Sequence, residues 1–467
     1  MATNIGKRLE PLWDYFLVDK EKTTATLSVN QPEFLGSVFD FNAPWEGNAC
    51  VYPNIIKDGN KYRLYYGARE FPSFNPEKGK LDETKIAVCV IESEDGINWR
   101  RPTVGKYGEN NIVNAHPTEA RTALSVFIDE NPACPPDRKY KGLDRVDDGA
   151  KSFLTGGTLA AFASADGLNF ERIEDISRDP GRFDSLNTVF YNKEEGQYRI
   201  YYRDFIDEVL RIVACKTSKD FKTWENAGPI TFDDDEFFQL YTNNIMQYPR
   251  APHVYIGTPV RYTERTAWTT NYDQMPDREL RRGIMYSKDY ERLGLALTDS
   301  LFMCSRDGMH FHRFHESFVD SGLEKPLTWK YGHNFLSYGY TEDENYIYIY
   351  SITEHLHKSE PSKLLRYRIR QDGFASFKAP YSGAKVVTKP FVFDGDSLSL
   401  NFKTSAAGNI YVKIWDKEEN TAQSIEIFGN NINRKVEFDK SLSAFSGKEV
   451  IMEFSMKDAQ VYSFKFE

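Results

Sequence analysis

Six side chains could act as general acids or bases, and all of them stand beside segments that resemble β-strands. They are three carboxylates, two imidazoles and one phenol: Asp184, Glu354, Glu46, His333, His355 and Tyr241. Hydrolysis of a bond between sugars needs two carboxyl groups, about 5–5.5 Å apart for retention or about 6.5–9.5 Å apart for inversion. Asp184 and Glu354 are the best pair, with Glu46 third. The histidines and Tyr241 suit another reaction, removal of the proton α to a carboxylate with loss of the C4 group.

Arginines and asparagines occur at similar positions and could bind the substrate. They are Arg121, Arg203, Arg250, Arg261, Asn187, Asn243 and Asn334. Arginine presents a planar fork that matches a carboxylate or sulfate. Four arginines therefore favour an acidic ligand, such as an oligosaccharide bearing uronate or sulfate groups. The alternative is that several of these side chains form ion pairs between neighbouring parts of the fold.

A recurring turn motif predicts the elements that position these residues. The pattern S-x-D-G-x-x-[WF] begins at Ser93, Ser164 and Ser305, and a fourth copy begins at Ser218, with Phe221 in place of Gly. In such a turn the Asp accepts backbone N–H bonds and the Gly takes a positive φ. Four copies in one chain indicate an internal structural repeat.

Paired strand signals lie between these turns and predict five β-hairpins. They cover residues 54–57 with 61–68, 122–128 with 138–143, 188–192 with 196–203, 245–248 with 253–258, and 334–340 with 345–352. Helical periodicity is nearly absent, and one short helix is predicted around 277–282. Five small sheets repeated radially form a propeller, which leaves only short protected edges. We therefore predict an all-β fold with a five-bladed β-propeller.

The pattern changes after Leu364–Ile369. Short strands separated by turn residues follow at close spacing, which is typical of a β-sandwich. We predict two domains, a propeller over residues 1–379 that carries the catalytic site and a C-terminal β-sandwich over 380–467. The second domain either braces the propeller or binds carbohydrate, and its apolar strand pattern favours the brace.

Propeller geometry separates the two ends of each sheet. The Asp-bearing turns lie at one end, so we expect Asp95, Asp166, Asp220 and Asp307 to be structural. First-strand starts and second-strand ends lie at the other end, which we term the rim. There we place the candidate residues above, together with Arg69 and neighbouring polar residues.

Asp184 precedes the predicted first strand of the third sheet. Because side chains alternate along a strand, Asp184 and Asn187 can both face the channel only if a turn or bulge lies between them. We expect Asp184 to be a carboxylate facing the channel, and the alternative is a local turn bond to the backbone.

Motifs spread over nearly the whole chain carry a family resemblance. They are PWEG at 44–47, DSLN at 184–187, LYTNN at 240–244, YPRAPHVY at 248–255, SRDGMHFHR at 305–313, RQDGFAS at 370–376, TKPF at 388–391 and KDAQVYSF at 457–464. With them the chain resembles uncharacterised bacterial proteins related to glycoside hydrolase family 32, in the five-bladed propeller clan that includes family 43. The resemblance implies a propeller that acts on carbohydrate. True invertases carry a WMNDPNG motif in the first blade, where this chain has FDFN at 39–42 and WEGN at 45–48. We therefore transfer no catalytic residue from them.

Composition excludes several classes of partner. The net charge of −10 and the lack of a basic stripe argue against nucleic acid. A mean hydropathy of −0.57 without a long apolar run argues against a membrane-spanning helix. The five cysteines are scattered and never spaced C-x-x-C, and we predict no metal and no cofactor. The protein is expected to be periplasmic or secreted if a signal peptide was removed, and cytoplasmic otherwise.

Three functional hypotheses follow. The first is a glycoside hydrolase that acts on an acidic oligosaccharide. The second is a lyase or dehydratase that forms an unsaturated terminal uronic acid by β-elimination. The third is a non-catalytic glycan-binding propeller, since a fold does not fix a function.

Overall fold

The fold was analysed in a computed structural model of the chain. It describes residues 2–70, 74–75, 80–81, 85–114, 123–146, 157–177, 183, 185–207, 209–265, 267–276, 278–285, 294–325, 328–353 and 361–467. Nearly all secondary structure in this part is β-strand, and the prediction of an all-β chain is confirmed.

The first three repeated sheets are four-stranded and antiparallel, with the strands in chain order. Sheet one contains Val51–Asp58, Lys61–Glu70, Lys85–Ser93 and Ile112–Asn114. Sheet two contains Ser125–Ile128, Tyr140–Val146, Thr158–Ser164 and Glu171–Ser177. Sheet three contains Thr188–Asn192, Gln197–Ile206, Leu210–Ser218 and Glu225–Pro229.

Sheet four is larger because its strands are interrupted. Its main part contains Met246–Tyr248, Ala251–Gly257, Met303–Ser305 and His310–Arg313, with Thr231–Phe232 added in parallel to the last. Towards the rim it continues as a smaller sheet of Gln239–Leu240, Val260–Glu264 and Ala296–Ser300. Two short helices, Thr270–Gln274 and Arg278–Met285, lie between the last two of these strands. The second helix matches the position of the predicted one.

Sheet five is completed by a strand from the beginning of the chain. It contains Phe335–Leu336, Thr341–Glu342, Tyr346–Thr353 and Ser362–Arg370, and its outer strand is Glu33–Phe41. The pairing runs from Arg368 opposite Glu33 to Ser362 opposite Phe41. An N-terminal strand thereby joins the last repeated sheet, although the hairpins alone did not predict it.

The five sheets form a closed ring. The first strands of sheets one to four contact one another in order, Ala296–Ser300 of sheet four contacts Phe335–Leu336 of sheet five, and the latter contacts the first strand of sheet one. Buried tyrosine hydroxyls tie sheets together at the turns. Tyr65 donates to the carbonyl of Gly167 at 2.9 Å, Tyr201 to Gly308 at 2.8 Å and Tyr350 to the carbonyl of the turn glycine Gly96 at 2.7 Å.

The repeated turns have the structural role that the sequence predicts. In the first copy, one carboxylate oxygen of Asp95 accepts the N–H groups of Ile97 and Asn98, both at 2.8 Å. Asp166, Asp220 and Asp307 make equivalent bonds. Phe221 takes the left-handed conformation of the missing glycine, with φ 63°. The prediction that these aspartates are structural is confirmed.

The remaining strands form one ten-stranded terminal sheet. Its two long strands, Leu398–Asp416 and Glu449–Phe466, pair along most of their length. The others are Thr3–Gly6, Leu9–Pro11, Thr26–Val29, Ala375–Ala379, Ala384–Val387, Phe391–Phe393, Thr421–Gln423 and Asn430–Val436. Three of these are N-terminal, so the terminal sheet contains strands from both ends of the chain, whereas the limits 1–379 and 380–467 stay a prediction. Residues 3–29 pair with the C-terminal strands, as Ala375–Ala379 does.

Minor elements complete the description. A two-stranded ribbon joins Phe74–Asn75 to Lys80–Leu81, and single 3₁₀ turns lie at Pro136–Arg138 and Leu442–Ala444. No helix in the described ranges is long and apolar enough to cross a membrane.

Candidate functional site

Unusual backbone conformations mark the rim. Tyr52, Asn244 and Asn334, at or just before the first strands of sheets one, four and five, have φ values of 56°, 49° and 64°. This left-handed region costs a residue with a side chain of order 1–3 kcal/mol and is found preferentially at functional sites. The three residues come from different sheets, so a left-handed backbone conformation recurs at the rim in three of the five sheets.

A group of aromatic rings fills the rim beside these residues. We term it the rim cluster, and it consists of Tyr52, Tyr241, Tyr262, Tyr331 and Phe335. Phe335 stacks on Tyr241 with centroids 5.6 Å apart and on Tyr52 at 5.8 Å. The hydroxyl oxygens of Tyr241 and Tyr331 are 2.6 Å apart, and Tyr52 donates to the Tyr241 hydroxyl at 3.5 Å. Three phenol groups therefore meet at Tyr241.

Three arginines surround the cluster. The guanidinium carbons of Arg203 and Arg211 each lie 5.6 Å from the ring centroid of Tyr241. Arg203 pairs with Val213 and Arg211 with Phe205 across neighbouring strands, so both arginines lie on one face of sheet three. Arg69 of sheet one lies 6.0 Å from the Tyr52 ring.

Buried guanidinium groups and phenol hydroxyls give the rim a hydrogen-bonding character. Arg203 is 4 % exposed and Arg211 6 %, and the latter donates to Gln239 Oε1 at 2.8 Å. Guanidinium groups stay charged even when buried, and a charge held in low dielectric attracts an anion more strongly than in water. Guanidinium groups thus lie beside phenol hydroxyls in the rim cluster, and phenols can donate or accept protons.

His333 lies beside the rim cluster in a buried position. Its Nδ1 is 2.7 Å from the Thr353 hydroxyl, and it is 5 % exposed. Burial and the nearby Lys330 lower the pKa of His333 to about 3. The imidazole is therefore neutral at physiological pH and can serve as a hydrogen-bonding group or a weak base.

The predicted asparagines have different environments. Asn187 donates to the carbonyls of Phe183 and Ser185, and Asn243 accepts from the Thr188 hydroxyl at 2.8 Å, which ties sheet three to sheet four. Asn334 is fully buried, and its amide forms no hydrogen bond with any residue in the described ranges. Of the three, only Asn334 has a side-chain amide without a hydrogen-bond partner in the described ranges.

Glu46 does not have the environment of a catalytic carboxylate. It is fully buried, and its oxygens accept bonds from the Tyr66 hydroxyl, from Arg101 at 2.7 and 2.9 Å, and from the Ala43 N–H at 2.8 Å. These bonds fill the capacity of the carboxylate and hold the first sheet to the strand before it. We therefore assign Glu46 a structural role, contrary to the sequence expectation.

Arg250 and Arg261 also differ from the expectation. Arg250 lies in the turn between the first two strands of sheet four, at the end opposite the rim, and binds Asp372 at 2.8 Å. Its placement at the rim was wrong, because a residue at the tip of the first hairpin lies at the turn end. Arg261 lies closer to the rim but is paired with Asp299 and the His315 carbonyl.

Four predicted site residues lie outside the described residues: Arg121, Asp184, Glu354 and His355. The segment around Asp184 is described on both sides. The Ser185 N–H donates to the Phe183 carbonyl at 2.9 Å, and the first strand of sheet three begins only at Thr188. The arrangement expected for Asp184 therefore stays a prediction.

Sequence reasoning missed much of the rim cluster. Tyr52, Tyr262, Tyr331, Phe335 and Arg211 were not among the candidates, whereas Tyr241 and Arg203 were. In sheet three the third strand begins beside the end of the second, because the two strands are antiparallel. Arg211 could therefore have been identified from the sequence as a neighbour of Arg203. Tyr331 has no such signal, since it lies in an irregular segment. Among the described residues no group of His, Cys, Asp and Glu is placed to hold a metal ion.

Comparison with known proteins gives similarity only among solved structures. No family model matches the chain, and no curated protein is similar to it. A structure described as a glycoside hydrolase is 12 % identical with a TM-score of 0.48, covering 73 % of this chain and 92 % of that one. An N-acetylgalactosamine deacetylase from F. plautii, in complex with blood group B trisaccharide, is 10 % identical with a TM-score of 0.48, covering 74 % and 96 %. The family 32 beta-fructofuranosidase of Bombyx mori is 11 % identical with a TM-score of 0.44, covering 94 % and 95 %. Families 32 and 43 are thus both represented among the structures similar to this chain.

Proposed function

We propose that this protein is a carbohydrate-active enzyme whose substrate is an acidic oligosaccharide bound at the rim cluster. The observation that carries the proposal is the position of Tyr241, which has two buried arginines near its ring and the Tyr331 hydroxyl at 2.6 Å. Arginines suit a uronate or sulfate group, and the phenols suit proton transfer next to it.

The proposed architecture is a five-bladed β-propeller with a β-sandwich. The ring of five sheets and its closure by Glu33–Phe41 support the propeller. The long bulged strand Leu398–Asp416 and the apolar core beneath the terminal sheet support the sandwich. In this architecture the rim cluster lies where the first strands begin.

The first candidate reaction is hydrolysis of a glycosidic bond. It needs two carboxyl groups, one as acid and one as nucleophile or base. Asp184 and Glu354 remain the proposed pair from the sequence, and the arginines of the rim cluster would hold the acidic sugar beside them.

The second candidate is β-elimination, and the Tyr241–Tyr331 pair favours it. A base removes the C5 proton of a uronate, the electrons form a C4–C5 double bond, and the C4–O bond breaks. One tyrosine, as its phenolate, can accept the C5 proton and become a phenol, while the other gives its phenol proton to the departing oxygen. An arginine on the uronate carboxylate stabilises the negative charge that develops during this step.

One incubation distinguishes these reactions from simple binding. The protein is mixed with a panel of uronate-bearing and sulfated oligosaccharides, and products are followed by mass and by ultraviolet absorbance of an unsaturated uronate. Cleavage with gain of water supports hydrolysis, and new absorbance supports elimination. Binding without any new product would overturn the enzymatic proposal.

Variants then locate the activity. Tyr241→Phe and Arg203→Gln are each expected to lower turnover by about 10²-fold or more, the scale of a positioned acid, base or charged group. Arg199→Gln is the matched control, because Arg199 lies on the same strand at the turn end and pairs with Glu195. Equal activity of the Arg203 and Arg199 variants would refute the location of the site.

A further inference from the structure

A cavity of about 320 Å³ lies between sheet five and the terminal sheet, away from the rim. We term it the junction cavity. It lies near the turn after Thr341–Glu342, and thus at the end of the ring opposite the rim cluster. Its volume falls in the range of about 300–1,000 Å³ usual for small-molecule sites.

The wall on the terminal sheet carries two lysines in register. Lys378 and Lys403 are both cross-strand partners of Gln460, on the strands at either side of it. Directly paired residues project on the same face of a sheet, so both lysines and Gln460 share a face. Neighbouring strands are about 4.8 Å apart, and the backbones of the two lysines therefore lie about 10 Å apart with Gln460 between them. Neither lysine forms an ion pair with a described residue.

Gln460 presents a donor between these lysines. Its Oε1 accepts from the Tyr462 hydroxyl at 2.9 Å and from the Ser376 hydroxyl at 3.2 Å. Since the oxygen is held by two donors, the amide NH₂ is turned away from them. That NH₂ donates to no residue in the described part of the chain, so it is available to a ligand.

The wall on sheet five adds an aromatic ring and two further cations. Tyr346 pairs with Arg370, and Tyr348 with Arg368, so Tyr346, Arg368 and Arg370 share one face. Arg370 is held by neutral oxygens, including Asn401 Oδ1 at 2.6 Å and the Phe402 carbonyl at 3.0 Å. Tyr346 is 36 % exposed.

The cavity is cationic in a protein whose net charge is −10. Among its lining side chains are Arg368, Arg370, Lys378 and Lys403, against the single carboxylate Glu33, which pairs with Arg368 at 2.7 Å. Burial lowers the pKa of Lys378, and neighbouring Lys403 lowers it further. Like charges held together without a counter-charge are unfavourable, and an anion between them removes that repulsion.

We propose that the junction cavity is a second, non-catalytic site for an acidic saccharide. Lys378, Lys403 and Gln460 bind its carboxylate or sulfate group, and Tyr346 packs against the sugar ring. Aromatic rings present an apolar face with a polar edge, which suits a sugar better than a free inorganic anion. The choice of a saccharide rests on the proposed function, whereas the anion site rests on the geometry alone. The terminal sheet would then bind substrate as well as brace the ring.

The test measures binding by titration calorimetry on the full chain with trigalacturonate, its neutral methyl ester and inorganic sulfate. The double variant Lys378→Met/Lys403→Met is expected to lose a trigalacturonate site with at least a tenfold drop in affinity. Lys413→Met/Lys435→Met, on exposed positions of the same sheet, is the matched control and should retain it. Tyr346→Ala should weaken trigalacturonate more than sulfate.

The outcomes separate this proposal from the proposed function. Equal binding by both double variants, or no trigalacturonate site in the wild type, overturns the junction site whether or not the enzyme is active. If sulfate binds as tightly as trigalacturonate and Tyr346→Ala has no effect, the assignment of a saccharide as the ligand of the junction cavity is overturned. The Arg203→Gln variant should keep the junction site. In the wild type, binding at that site without any turnover would overturn only the proposed enzymatic function.

Discussion

Acid is expected to lower the free energy of unfolding by protonating one buried carboxylate, Glu10. It is fully buried where the N-terminal strand Leu9–Pro11 meets sheet four. Its oxygens lie 2.8 Å from Arg306 and 3.3 Å from His253 Nε2, and it also contacts Arg8. Burial alone would raise the pKa of Glu10, but the bond to His253 and the charges of Arg306 and Arg8 lower it from 4.5 to about 2.

The magnitude follows from this shift. A difference of about 2.5 pKa units corresponds to about 3 kcal/mol of stability at neutral pH. Because the folded-state pKa is the lower one, this contribution is present above pH 4.5 and lost as the pH falls towards 2. By pH 3 about 2 kcal/mol of it should be gone.

The assay compares the wild type with Glu10→Gln by urea unfolding at several pH values. Fluorescence is a suitable signal, since Trp13 is fully buried beside this ion network and donates to the Asp372 carbonyl at 2.8 Å. The stability difference should be about 3 kcal/mol at pH 7 and about 1 kcal/mol at pH 3. Glu21→Gln, an exposed N-terminal position, is the control and should show no such change. A Glu10→Gln difference that stays constant with pH would refute the reasoning.

Two further predictions concern packing. Gly308→Ala should destabilise by more than about 2 kcal/mol, because φ is 74° and a Cβ would lie 2.6 Å from the Tyr201 hydroxyl, which closes sheet three onto sheet four. Gly59→Ala is the matched control, with φ 65° and no atom near the new Cβ, and should cost about 1 kcal/mol; equal losses in thermal unfolding would contradict the packing argument. Glu46→Gln should lower the free energy of unfolding by about 1–3 kcal/mol through the weakened bond to Arg101 and leave turnover per folded molecule unchanged. A loss of turnover without loss of stability would restore Glu46 as a catalytic candidate.

The repeated turns could be predicted because their physics is local. The carboxylate of Asp95 bonds to N–H groups two and three residues further along, so a short pattern contains the whole interaction. The same holds for the hairpins, in which strand, turn and strand are contiguous. Repetition then indicated a ring, since each copy implied the same small sheet.

Interactions between distant segments could not be predicted. Strand Leu9–Pro11 pairs with the C-terminal strand, and Trp13 bonds to a carbonyl 359 residues away. The sequence around Glu46 shows no ion partner for it, because Arg101 lies 55 residues further along the chain. A polar residue at a strand end has the same sequence signal whether it faces a ligand or a distant ion partner. That ambiguity separates Arg203, which faces the rim cluster, from Arg250, which is paired at the other end.

The N-terminal segment explains why the ring and the terminal sheet should behave as one unit. Residues 3–29 contribute three strands to the terminal sheet, and Glu33–Phe41 immediately afterwards completes sheet five. Between them Trp13 packs against Tyr248 and Phe302 of sheet four and Phe374 at the start of the terminal sheet. Separating Glu33–Phe41 from sheet five would therefore displace the preceding N-terminal strands, which pair with strands of the terminal sheet. The junction cavity lies at this connection, so an anion bound there would contact both parts at the point where the chain crosses between them.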